Sequence, residues 1–438
     1  MKKIISFFKT DIKIINSYFL FAIILIILIS VGYTSYALFS FTKTSNNVIV
    51  ATVGELKNNI DTSGANVPIL ASNMIPVYYD EISNVWKKAD IKNGKTNPWY
   101  SYESSGEYKG MWANAVTVKD TNRQTYLNAT PGTTIPMDDI TTMWVWIPRF
   151  NAVTPSNYNG GTQASPGAID VTFVKQSEAA LDAFTFGDKE LSGFWYGKYE
   201  VGGTLASSCT NETCNVSNIV VKPNVTSLRS QTVSSFFFAS RSMEQAGNSF
   251  GFVSSEVDTH MSKNNEWGAV AYLTQSIYGR CTSSTSCTEV GINNNSGYLT
   301  GYGAPAGSND SVTNGAYNTT LGKDASTTKN IYGIYDMSGG AYEFVMGVYS
   351  NKISSSGFSG LPDTKYYNNY TGSSYTGHAL TETKNWYSDD ADYVISIDPW
   401  FLRGGHFNRG TNAGVFNFIY NSGYLHARKS SRFVITNE

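Results

Sequence analysis

The sequence predicts an α+β ectodomain, strand-rich and with much irregular loop structure, behind one membrane-spanning helix and a β-rich spacer. Three observations predict it. A charge-free apolar run lies near the N-terminus, β-type aromatic runs are cut by Gly and Asn turns, and charged residues are only 15% beside 14% aromatics and 39 glycines. A surface so poor in Lys and Glu must be covered by Asn, Ser, Thr and Tyr, the look of a loop-rich exported protein; a disordered tail would lack the aromatics.

Lys2, Lys3, Lys9 and Lys13 precede residues 14–42, which carry no charge. At about 1.5 Å per residue a helix here covers the roughly 30 Å hydrocarbon core, and it satisfies its own backbone there. The lysines place the N-terminus in the cytoplasm. The expected layout is a basic cytoplasmic tail at 1–16, a transmembrane signal anchor at 17–41 and a polar stalk at 42–73. A β-rich part at 74–168 and a larger domain at 169–438 follow, both outside the cell membrane. The rival is a cleaved signal peptide, because Ser35-Tyr36-Ala37 is a small-x-small site just past the apolar core.

Strands are predicted at 75–79, 111–118, 142–150 (stopped by Pro148) and 193–201, and helices at 234–245 and 264–276. From 281 to 375 the chain is mostly Gly, Asn, Ser and Thr around an apolar centre at 331–348. Cys209 with Cys214 and Cys281 with Cys287 form two close pairs at loop tips, which outside the membrane suggests local disulfides; spacing cannot choose among three connectivities. No histidine lies at zinc-ligand spacing to either pair. A net charge of −2 gives no reason for a nucleic-acid partner. Nucleophile-elbow, zincin, Walker and dinucleotide motifs are absent. Asp389, Asp390 and Asp392 could include a glycosidase carboxylate, though acidic loop clusters are usually solvated.

Four segments in order carry a resemblance: GFWYGKYEV at 193–201, NNEWGAVAY at 264–272, NIYGIYDMSGGAYEF at 330–344 and WFLRGG at 400–405, closing near Arg432. Together they resemble the formylglycine-generating-enzyme-like family. The resemblance implies a C-type-lectin-like α+β fold over roughly 190–438. It casts Glu266, Trp267, Asp336, Gly339, Gly340, Glu343, Arg403, Gly404, Gly405 and Arg432 as scaffold, with Arg403 and Arg432 suited to pair with Glu343 or Asp336. The family's catalytic members use a close cysteine pair just after Arg-Gly-Gly. Residues 406–414 hold no cysteine here, so no catalytic residue is carried over and enzymatic activity is not expected. No metal ligand or cofactor is assigned. The family's structural calcium stays open, because its ligands do not map position by position.

Noncatalytic relatives of this fold include the variable ligand-binding proteins of diversity-generating retroelements. The last segment fits such a role, alternating apolar Ala413, Val415, Phe416 and Phe418 with polar or aromatic positions. His406, Asn408, Arg409, Asn412, Asn417, Tyr420, Asn421, Tyr424, His426 and Arg428 are the candidate ligand-binding residues. Arg403, Arg409, Arg428, Lys429 and Arg432 stand against the single acid Glu438, which favours an anionic partner. The expected partner is an extracellular protein or glycan. The alternatives are a divergent oxidase or other enzyme on the same fold, and a structural envelope or appendage component.

Overall fold

The computed structural model of the protein describes residues 61–92, 94, 96–303 and 315–437. The basic tail, the anchor at 17–41 and most of the expected stalk lie outside them. Among the described residues no helix is long and apolar enough to cross a membrane.

Twelve strands and three helices suffice to place the site. The strands are β1 (Ile75–Asp80), β2 (Val85–Lys88), β3 (Asn114–Val118), β4 (Ile140–Pro148), β5 (Gly193–Gly197) and β6 (Val257–Met261), then β7 (Tyr342–Tyr349), β8 (Asn368–Tyr370), β9 (Trp400–Arg403), β10 (Phe418–Asn421), β11 (Lys429–Ser431) and β12 (Phe433–Asn437). The helices are α1 (Asp120–Asn128), α2 (Val233–Ser242) and α3 (Asn264–Thr274). The predicted helices are α2 and α3, each ending two or three residues early; α1 is too polar to show an apolar stripe. Every residue of α3 is buried, and Glu266 caps it by accepting from Lys263 N–H at 2.8 Å.

Seven strands form an antiparallel sheet in the order β6-β12-β5-β4-β3-β1-β2. A second sheet runs β8-β7-β9-β10, and β11 adds to β7 in parallel. The predicted boundary at 168/169 therefore does not separate two bodies, because β4 pairs directly with β5 across it. Nor do the described residues of the expected stalk stand off the fold. Trp146 Nε1 donates to Asn66 O at 3.2 Å, Trp195 Nε1 to Ile69 O at 2.6 Å, and Asn73 Nδ2 to Gly251 O at 2.7 Å. Buried indole N–H groups need acceptors, and this segment supplies them.

The chain crosses between the sheets at Arg432, which follows β11 and precedes β12. Its Nε donates to Glu343 Oε2 (3.0 Å) and its Nη2 to Glu343 Oε1 (2.6 Å), a fully buried bidentate pair. Nη1 also reaches Gly197 O at the end of β5, and Nη2 reaches Tyr335 O. Glu200 and Asp336 are buried nearby. Burial first, then Asp336 and Glu343, push the Glu200 carboxyl well up. Burial pushes Asp336 to about 6 and Glu343 to about 7, with Arg432 opposing both. Gly340 makes room for this cluster: at φ 64° a Cβ would sit 2.3 Å from Glu200 Oε1.

Both local disulfides form, Cys209–Cys214 and Cys281–Cys287, with Cα separations of 5.5 and 3.9 Å.

Arg432→Met is expected to lower the unfolding free energy by about 3–5 kcal/mol, because Glu343 loses its buried ionic partner; urea titration measures it. The sign of the pH effect follows from the raised carboxyls. Their folded values lie above the ordinary 3.8 and 4.5, so their contribution is complete below those values and is lost as pH rises through 6 to 7. Stability should fall from about pH 4 to about pH 7, and Glu343→Gln should flatten part of that fall.

Candidate functional site

Between the buried strands β9 and β11 the chain makes one excursion, residues 404–428, fixed at several points. Gly339, Gly340, Gly404 and Gly405 all have positive φ, and a Cβ on Gly405 would come within 2.7 Å of Ala413. Phe407 N–H donates to Gly340 O at 2.9 Å and Gly414 N–H to Gly404 O at 3.2 Å. Trp267 Nε1, from α3, donates to Val415 O at 2.8 Å. Phe416 N–H donates to Asp389 Oδ2 at 3.0 Å, under the turn.

All ten scaffold residues are buried. Arg432 takes the partner expected of it, but Arg403 does not. Although Arg403 lies opposite Glu343 in the β7–β9 ladder, its guanidinium turns away to Asn264 Oδ1 (3.2 Å) and to the carbonyls of His378 (3.5 Å) and Ala379 (3.0 Å). The carboxylate is already saturated by Arg432.

Of the ten candidate ligand-binding residues, Asn408, Arg409, Asn412, Tyr420, Tyr424 and Arg428 are exposed, and Asn421 and His426 are half-buried. Two are not on the surface. Asn417 is fully buried, its Nδ2 donating to Asn412 O at 2.6 Å, because 413–417 is a turn that leads into β10 with 413–418 all buried, rather than an alternating strand. His406 is 5% exposed and packs edge-on to Tyr342, 5.0 Å between ring centres.

The exposed members share a basic and aromatic environment. Arg409 pairs with Asp390, and Asn412 Nδ2 donates to the same carboxylate at 2.9 Å. Asp390 is thus an orienting group. Burial, then the charges of Arg428, Arg409 and His426, push His406 down to about 4, so it is neutral at pH 7. Lys429 Nζ sits 3.5 Å from the Tyr424 ring centre and donates to Asn421 Oδ1 at 2.9 Å, and burial pushes it down to about 8. Sequence reasoning missed Arg229 and Tyr298. The Arg229 guanidinium lies 3.9 Å above the Tyr298 ring and its Nη1 reaches Ala427 O, while Tyr298 meets Phe407 at 5.0 Å. Both come from remote loops, and no local signal marks them. Among the described residues no three His, Cys, Asp or Glu side chains group as a metal site.

No family model and no curated protein matches the chain. Some solved structures do. Treponema denticola variable protein 1 is 13% identical, with 68% of this chain and 97% of that one covered and a TM-score of 0.31. PvdO from Pseudomonas aeruginosa is 12% identical, with 67% and 94% covered and a TM-score of 0.31. The Major Tropism Determinant U1 variant is 14% identical, with 86% and 96% covered and a TM-score of 0.26.

Trp267→Phe is expected to cost about 1–3 kcal/mol by leaving the Val415 carbonyl unpaired. Backbone amides at 414–418 should exchange faster than in the unaltered protein, which hydrogen-exchange mass spectrometry reads directly.

Proposed function

We propose that this chain is a membrane-anchored surface protein that binds an extracellular protein or glycan, without catalysis, through residues 404–428 of a C-type-lectin-like domain. The observation that carries the reading is the placement of six exposed polar, basic or aromatic candidates on one excursion held between buried strands. Tyr, Asn and Arg make adaptable contacts at low ordering cost, and a pinned loop loses less entropy on binding than a free one. Arg409, Arg428 and Arg229 favour an anionic partner surface.

The noncatalytic part of the reading rests on chemistry. Where the resembled enzymes carry their cysteine pair, this chain has His406, Asn408, Arg409 and Asn412, and its four cysteines are paired in disulfides well before this segment, at 209/214 and 281/287. Such disulfides suit an oxidising, extracytoplasmic setting. Membrane anchoring rests on the charge-free run behind the N-terminal lysines.

The test is binding to protein and glycan arrays by the purified protein and by a variant with Asn408, Arg409, Tyr424 and Arg428 changed to alanine. Loss of the captured signal by about 100-fold or more is expected if these are the anchors; unchanged binding would move the site elsewhere. Immunoblotting of membrane and medium fractions tests the anchor, and a released fragment starting at Leu38 would contradict it.

A further inference from the structure

Residues 377–379 carry an unusual backbone. Gly377 has φ 110°, and the next two residues, His378 and Ala379, sit at φ 60° and 52°. Two consecutive side-chain-bearing residues in the left-handed region cost of order 1–3 kcal/mol each, and such strain persists only where surroundings impose it. Arg403 imposes it, holding both carbonyls.

The strained turn fixes the His378 ring. Asn264 Nδ2 donates to Tyr370 OH at 2.8 Å, which directs the hydroxyl proton to His378 Nδ1 at 2.7 Å. The other ring nitrogen, Nε2, then donates to Asp182 Oδ2 at 2.8 Å. Burial works to raise the Asp182 carboxyl, but the hydrogen bond from His378, with Asn265 and Lys263, outweighs it and holds it below the ordinary value. Asp182 is therefore an ionised carboxylate of fixed orientation, and its side chain is still 55% exposed.

It borders a cavity of about 110 Å³ whose lining also includes Asn265, Tyr272, Tyr375 and His378. Typical sites for whole small molecules hold roughly 300–1,000 Å³, so this one takes the head of a group. Asn265 is only 4% exposed, and its Oδ1 has no hydrogen-bond partner among the described residues. Two donors of the wall are committed, His378 Nε2 to Asp182 and Tyr272 OH to Glu382 Oε1 at 2.6 Å. What the cavity offers is one carboxylate, one unpaired amide oxygen and aromatic faces, with Tyr375 at the rim 4.6 Å from the His378 ring.

We propose that this cavity binds a cationic nitrogen head, a primary ammonium or a guanidinium. Asp182 supplies the counter-charge, Asn265 Oδ1 accepts an N–H, and Tyr375 flanks the cation with its ring face. Asp182 and Asn265 contact the ligand; His378 and Tyr370 are positioning residues. The cavity includes none of residues 404–428, so the proposal does not rest on the ligand-binding reading above.

The experiment is ligand-observed NMR titration of the purified full chain with n-butylammonium, methylguanidinium, the tripeptide Gly-Lys-Gly and neutral butan-1-ol. The cations are expected to bind at least about tenfold tighter than butan-1-ol, a difference of about 1.4 kcal/mol. Asp182→Asn, a half-exposed position whose melting temperature should not move, is expected to weaken the cations about tenfold and leave butan-1-ol unchanged. Tighter binding of Gly-Lys-Gly than of n-butylammonium would assign the head to a protein partner, and the reverse order to a free amine. Equal binding of butan-1-ol and the cations, or full retention of cation binding by Asp182→Asn, would overturn the proposal.

Discussion

The Arg432–Glu343 pair is the constraint on which the rest of the structure depends. One guanidinium, fully buried, binds the carboxylate of β7 in one sheet and the carbonyl of Gly197 at the end of β5 in the other. A buried charge pair is weak evidence for stability, since desolvation consumes much of its attraction. Its value here is specificity. The two sheets do not share strands, and only a group with several donors in a fixed fork can satisfy acceptors from both at once. The surplus of buried carboxylates around it, Glu200 and Asp336, is tolerated because burial raises their proton affinity.

From that clamp the presentation of residues 404–428 follows. The segment starts from buried Arg403 and ends at buried Lys429, and between them 413–418 are buried and β10 pairs with β9. What lies between cannot move far at its roots, and Trp267 and Asp389 hold its middle. The exposed tips at Asn408, Arg409, Tyr424 and Arg428 are therefore open to solvent without being free in position. The same Arg403 that ends β9 also imposes the strained turn at His378 and Ala379, so one arginine serves the tail on one side and the small cavity on the other.

Much of this was legible in the sequence, and the reasons are local. The runs at 75–79 and 142–150 read as strands because aromatic and β-branched residues lie between turn formers. Helix α3 was legible from its apolar spacing, and the disulfides from the closeness of their cysteines. The ordered motifs marked a scaffold that the fold buries. Other features depend on what meets what. That 61–73 lies on the sheet is decided by indoles about 80 and 126 residues away. Asn417 looked like an outward residue because a turn of consecutive buried positions cannot be told from an alternating strand by composition. Arg403 seemed free to pair with Glu343 because sequence cannot show that Arg432 has already filled it. Arg229, Tyr298 and the Asp182–His378 relay bring together loops too far apart for any spacing rule.

The most direct test of the central claim is native-state hydrogen exchange across both sheets. If Arg432 locks them together, amides of β5, β7 and β12 exchange with one common free energy, that of global unfolding, while amides at 408–412 exchange earlier. Separate free energies for the two sheets, with β7 opening while β5 and β12 stay protected, would contradict it.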